Sequence, residues 1–280
     1  MDYIRKFDNV TDYTRSAVND PTDLAERYRR SKTAEQYDRW DYNAGFERAA
    51  YLADTGWTEG RDKVAEWADK FRDSITSEHD ETFKRPMFTR SFVGSSVNVG
   101  RYVAGMPDAM VRRTNVEVEH SVVHILVNVC ASAGISADTY TMRGAAVAAL
   151  VDLLEFTNRR VRVATVFKVT GTRHHSAAVY TTIKKPNDPL QMDSLAYALA
   201  HPAYFRRLGF SILEQAPSNV RADVHIGDSG GGYGQVAEVT NDADIYIGCL
   251  RSGTDWTESK TRTWIADQLR TFCVLKEETA

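Results

Sequence analysis

The stretch "HILVNVCASAG", His124 to Gly134, constrains the fold more than any other part of the chain. Val122 to Val129 is an unbroken run of mostly β-branched, apolar residues, as a strand buried on both faces requires. It runs straight into a turn of small residues. Ser136 or Asp138 can then cap a helix that extends to about Phe156 and is apolar nearly all round, so it must be buried. Val161 to Val169 reads as the next strand. A strand, a crossover helix and a second strand make a βαβ unit, and such units build open, mostly parallel sheets. Val122–Val129 and Val161–Val169 are therefore expected to be parallel neighbours, with the helix ending at Phe156 crossing between them.

Further along, Ala177 to Lys184 reads as a strand, and Met192 to Leu208 as a helix broken at His201-Pro202, because proline disfavours helix in the residue before it. Phe210 to Leu213, Val220 to Ile226 and Asp244 to Leu250 read as strands, and Thr257 to Phe272 as a closing helix. Before residue 120 the texture differs. Ala44 to Asp54 and Thr58 to Ile75 read as a helical hairpin, with Gly56 ending the first helix and Val64, Trp67, Ala68 and Phe71 forming an apolar face on the second. Phe83 to Arg113, rich in glycine and proline, reads as a connection with one short strand and a short helix after Met106. The division is thus a mainly helical and irregular extension, residues 1–119, and an α/β domain, residues 120–280.

Composition excludes several classes of protein. With 42% hydrophobic and 26% charged residues the 280-residue chain is not disordered. A net charge of −3 argues against wholesale coating of nucleic acid. The longest apolar run, Gly144 to Val151, is too short to span a bilayer. Three cysteines, Cys130, Cys249 and Cys273, without an apolar leader fit free thiols in a reducing, cytoplasmic compartment, with no membrane partner.

The order of motifs carries a resemblance. His124 to Phe167 resembles the first strand, turn, helix and second strand of a von Willebrand factor A-like domain. Gly56-Trp57-Thr58-Glu59-Gly60, Val93 to Pro107, Val127 to Gly134, Arg143 to Glu155 and Asp193 to Phe210 are together similar to an uncharacterised family of phages and mobile elements. The resemblance implies a Rossmann-like α/β fold, with helices on both faces of a mostly parallel sheet. It also implies a protein that works by protein–protein contact, with an AAA-type ATPase or other phage or host machinery as partner.

Von Willebrand domains hold a metal on Asp-x-Ser-x-Ser at this strand end. Here the matching positions are Asn128, Cys130 and Ser132. A neutral amide replaces the carboxylate and a soft sulfur replaces a hard oxygen, which suits Mg²⁺ poorly. The expectation is a degenerate site with no metal and no cofactor, a rigid corner in which Asn128 bonds loop backbone and Ser132 or Ser136 caps the helix. Asp193 is a candidate to approach it from another loop.

Two loops add candidate contacts. "TGTRHHSAA" carries Arg173, His174 and His175, and the glycine-rich "IGDSGGGYGQV" carries Asp228 without the Gly-Lys-Ser/Thr ending of a phosphate-binding loop. Arg143, at the start of an apolar helix, needs a carboxylate or a row of carbonyls, and its loss should cost about 1–3 kcal/mol.

The reading is thus non-enzymatic. Two alternatives stand beside it. One is a nucleic-acid-binding accessory factor for transcription or replication, drawn from the basic, aromatic stretch Arg27 to Tyr42. The other is an enzyme built on Cys130, with His174 or His175 as its base, or on the Asp193 region.

Overall fold

The computed structural model describes residues 2–20, 22, 44–79, 88–93, 96–113, 122–132, 135–172, 175–227, 233–240, 242–251, 256–272 and 274. Its centre is the unit expected from the sequence. β5 (Val122–Asn128) and β6 (Arg160–Thr170) are parallel, in register from Val122 opposite Arg160 to Asn128 opposite Val166, and α5 (Ala137–Phe156) joins them. Ser136 caps α5 by accepting the Thr139 N–H at 3.3 Å.

Around this unit lie β1 (Asp2–Phe7), β7 (Ser176–Lys184), β8 (Gln235–Val236) and β9 (Ile245–Ile247). The strand order is β1-β7-β6-β5-β9, with β8 also paired to β6. Three of the five pairings are parallel; β7 and β8 run antiparallel to β6. The sheet is therefore mixed and mostly parallel. The β6–β7 connection is a short turn that permits only an antiparallel return.

β1 was not foreseen, since the sequence reading placed residues 1–119 in a mainly helical and irregular extension. Asp2–Phe7 is instead an edge strand, parallel to β7. Its inward side carries Arg5, which bonds Ser16 and Asp20 of the segment α1 (Val10–Asn19) and its cap at 3.0 and 3.2 Å. The helical hairpin is present as α2 (Phe46–Thr55) and α3 (Thr58–Glu78). Gly56 ends α2 at φ 83°, and a Cβ there would lie 2.3 Å from the Asp193 Cβ, so only glycine fits.

Residues 88–113 form β2 (Phe88–Ser91), β3 (Ser96–Val97), α4 (Val99–Val103) and β4 (Met110–Arg113). The strands make a small antiparallel sheet of order β2-β4-β3. The short helix precedes Met106 rather than following it, and three strands stand where one was expected.

After α6 (Met192–Ala200) the break at His201-Pro202 is real, and the chain resumes as a π-helical segment, Tyr204–Gly209, that passes into α7 (Phe210–Leu213). α8 (Ser218–Val224) and α9 (Glu258–Thr271) follow. Two expected strands are thus helices. Phe210–Leu213 and Val220–Ile226 are short apolar runs that period alone cannot assign. Val220 and Val224, one helical turn apart, both bury against the core, and His225 in the left-handed region ends α8.

The helices differ most from expectation in their placement. Val123, Ile125, Val127, Val163, Phe167 and Val179 share one core with α1, α3, α5, α6 and α9. The opposite face holds a small cluster of Leu126, Val166 and Val239, with Ala164, Tyr180, Ala243 and Tyr246 against it. No helical residue enters that cluster. Among the described residues helices cover one face of the sheet, not both. The cause is visible in the strands. His124, Arg160 and Arg162 are exposed at alternating positions, and a polar stripe cannot be buried under a helix.

Candidate functional site

The corner sits where parallel strands end, which is where open α/β sheets place ligands. β5 finishes at Asn128, which is fully buried. Its Oδ1 accepts the Cys130 N–H at 3.1 Å, closing the turn. Its Nδ2 donates to the Ala237 carbonyl at 2.9 Å and to the Tyr246 hydroxyl at 3.1 Å. Beyond it, Ala131 bridges Leu250 in parallel: the Leu250 N–H reaches the Cys130 carbonyl at 3.0 Å, and the Ser132 N–H the Leu250 carbonyl at 2.9 Å.

Two buried arginines hold this corner from below. Arg143 of α5, 1% exposed, donates to the Asn128 carbonyl at 3.1 Å and to the Leu199 carbonyl at 2.8 Å. Arg206 of the π-helical segment donates to the Ser132 carbonyl at 3.0 Å. A guanidinium suits this task because its planar fork satisfies several carbonyls from one rigid group. This is the row of carbonyls expected for Arg143.

The sequence reading missed Glu238. It accepts the Tyr246 hydroxyl at 2.5 Å and the Cys249 thiol at 3.1 Å, and Arg251 lies 3.9 Å away. Arg251 Nε in turn donates to Cys249 Sγ at 3.1 Å. Burial works to raise the Glu238 carboxyl, but the hydrogen bonds from Tyr246 and Cys249 and the charge of Arg251 outweigh it and hold it below its usual range. Burial, with Glu238 beside it, pushes the Tyr246 hydroxyl up to about 12. Burial likewise pushes the Cys130 thiol up to about 12, and its Sγ donates to the Lys168 carbonyl at 3.6 Å. Nothing in the sequence marks Glu238, which follows a glycine-rich loop 110 positions beyond Asn128 and meets it only through the fold.

The remaining candidates lie elsewhere. Asp193 stands in the first turn of α6 against the hairpin corner: its carbonyl accepts the Trp57 N–H at 3.3 Å and its carboxylate is 3.5 Å from Arg61. It does not join Asn128, Cys130 and Ser132. His175 pairs through Nδ1 with the Asp223 carboxylate of α8 at 3.0 Å. Arg173, His174 and Asp228 lie outside the described residues, as does the whole of Arg27 to Tyr42. Among the described residues no group of three or more His, Cys, Asp or Glu side chains is placed to hold a metal ion. No helix among them is long and apolar enough to cross a membrane.

A cavity of about 470 Å³ opens between the hairpin and the start of α5, lined by Arg48, Trp57, Lys63, Trp67, Asp138 and His201 among others. The His201 ring meets Trp57 edge-on at 4.6 Å, and its Nδ1 accepts the Ala203 N–H at 3.1 Å. Burial, reinforced by Arg48, lowers its pKa to about 4, so the ring is neutral at pH 7. The unfolded histidine takes up a proton below about pH 6.5, whereas the folded one refuses it until about pH 4. Stability from this group is therefore complete above pH 6.5 and lost as pH falls toward 4, by on the order of 2 kcal/mol. Melting temperatures of the wild type and His201→Gln, measured from pH 7.5 to 4.5, should show a shallower acid fall in the variant. Parallel curves would remove His201 from the explanation.

Fold and corner together define an α/β protein on a mixed, mostly parallel sheet whose strand-end site is closed by its own hydrogen bonds. The chain belongs to the family described as Domain of unknown function (DUF7192), whose model matches residues 1–275. No curated protein and no solved structure matches it.

Proposed function

We propose that this chain is a non-enzymatic protein of a phage or mobile element that acts by binding a protein partner, on a von Willebrand A-like scaffold whose metal site has become a structural joint. The observation that carries the reading is the closed hydrogen-bond circuit of Asn128, Glu238, Tyr246, Cys249 and Arg251. A nucleophile or general base must reach its reacting atom and titrate near the working pH. Cys130 is buried with its pKa at about 12, and the Glu238 carboxylate is engaged by neighbours on both oxygens. The parallel β5–β6 pair joined by α5 supports the von Willebrand-like core, and the order of motifs supports the phage origin.

Affinity capture from infected cells, quantified by mass spectrometry and followed by calorimetry with the purified partner in EDTA, tests this. The expected result is a single protein bound at fixed stoichiometry without added metal. Recovery of nucleic acid alone, or binding abolished by EDTA, contradicts it.

A further inference from the structure

β1 has no role at the corner, and it leaves one edge of the main sheet open. It stands at the end of the strand order and is joined only to β7. Among the described residues no backbone group bonds its outer edge. Such an edge is a row of unpaired N–H and C=O groups, a template for another strand. Folded chains blunt their edges by shortness, by proline or by a bulge. At the opposite edge β9 has only three residues. β1 has six, with no proline or glycine, and it follows β7 without a register shift.

The side chains of β1 divide by face. Tyr3 and Arg5 turn to the helices and are satisfied within their own chain. The Tyr3 hydroxyl donates to the Ile212 carbonyl at 3.4 Å, and Arg5 bonds Ser16 and Asp20. Asp2, Ile4 and Lys6 are exposed on the other face. Lys6 Nζ lies 5.7 Å from the Tyr180 ring centre, and Asp2 accepts the Ser176 hydroxyl at 2.7 Å. Ile4, at the middle of the strand, is 53% exposed.

We propose that β1 pairs antiparallel with β1 of a second copy of this chain, about a two-fold axis at Ile4, so that two sheets become one. The charge pattern selects both the partner and the register. A two-fold axis normal to the sheet keeps each face on its own side, and residues directly opposite in an antiparallel pair share a face. Centred on Ile4, Asp2 of each strand stands opposite Lys6 of the other, and Ile4 stands opposite Ile4. Centred on Tyr3, each Asp2 faces an isoleucine; centred on Arg5, the two Arg5 side chains face one another. Only the Ile4 register matches both charges and covers the exposed isoleucine. Opposite charges on facing strands stabilise the pair, and like charges oppose it. An unrelated strand meets Asp2 and Lys6 as obstacles, whereas the chain's own copy complements them. A join one strand wide buries little area, so the dimer is weak and depends on concentration.

Sedimentation equilibrium of the full chain, from low to high micromolar concentration, tests this with the variants Asp2→Lys, Lys6→Glu and Ile4→Asp. The wild type should pass from monomer to dimer and no further. Each charge reversal alone should weaken dimerisation by about tenfold or more, because the two-fold axis makes every charge count twice. An equimolar mixture of Asp2→Lys and Lys6→Glu should recover a heterodimer of wild-type affinity, since each reversed charge then meets the other. Ile4→Asp sets two carboxylates together at the axis and should abolish the dimer at an unchanged melting temperature. A wild type that stays monomeric throughout overturns the proposal. So does a dimer that survives Ile4→Asp or both reversals, which places its interface elsewhere. A mixture no more associated than its two components, each melting as the wild type does, also overturns it.

Discussion

Asn128→Asp should destabilise the chain by about 4 kcal/mol at pH 7, although it restores the residue type that a metal-binding corner would use. The amide Nδ2 now donates to the Ala237 carbonyl at 2.9 Å and the Tyr246 hydroxyl at 3.1 Å. A carboxylate oxygen in its place would face the carbonyl lone pairs with nothing to donate. It would also set a second negative charge about where Nδ2 stands, 3.5 Å from Glu238 Oε2, at a residue with no exposed surface. Burial and the neighbouring Glu238 both favour the protonated form of the new carboxyl, so the loss should shrink as the pH is lowered toward 5. Urea denaturation at pH 7 and pH 5, with and without millimolar Mg²⁺, measures this. A variant as stable as the wild type, or one restored by Mg²⁺, would mean that the corner still accepts an ion.

Arg143→Ala should cost about 3–4 kcal/mol, at or above the upper end of what the sequence alone suggests. The guanidinium joins the last carbonyl of β5 to the Leu199 carbonyl near the end of α6, and it lies 5.4 Å from the Tyr140 ring centre. Truncation strands two carbonyls in a dry interior and empties the volume of the largest fully buried side chain. Arg143→Lys should recover only part of the loss, because an ammonium lacks the rigid fork that reaches both oxygens. Equal melting temperatures for wild type and Arg143→Ala would show that the carbonyls find other donors.

The parts of the fold that the sequence reveals are those in which one physical demand dominates. A β-branched run and an all-apolar helix can be buried only one way, which is why β5, α5 and β6 are legible. Gly56 is legible because a helix end at φ 83° needs glycine. β1 is not, because Asp-Tyr-Ile-Arg-Lys-Phe hides its partners: Tyr3 and Arg5 serve α1 and α7, more than ten residues away. The open sheet face was masked by reading Val122–Val129 as uniformly apolar when His124 interrupts it on one side. Phe210–Leu213 and Val220–Ile226 were ambiguous in period, and tertiary packing decided for helix. At the corner, Asn128 and Cys130 are legible as positions, but Glu238, Tyr246, Cys249 and Arg251 reach them only through the pairing of β9 with β5 and the loop after β8.

The closed, unreactive corner is tested most directly by its thiol. With a pKa of about 12, fewer than about one in ten thousand Cys130 side chains is a thiolate at pH 7.5, and the sulfur is shielded from solvent. Iodoacetamide applied to the folded chain at pH 7.5, followed by peptide mass spectrometry, should leave Cys130 unmodified over hours and label it fully once urea is added. Rapid, selective alkylation of Cys130 in the folded chain would instead show an activated nucleophile at the end of β5 and contradict the non-enzymatic reading.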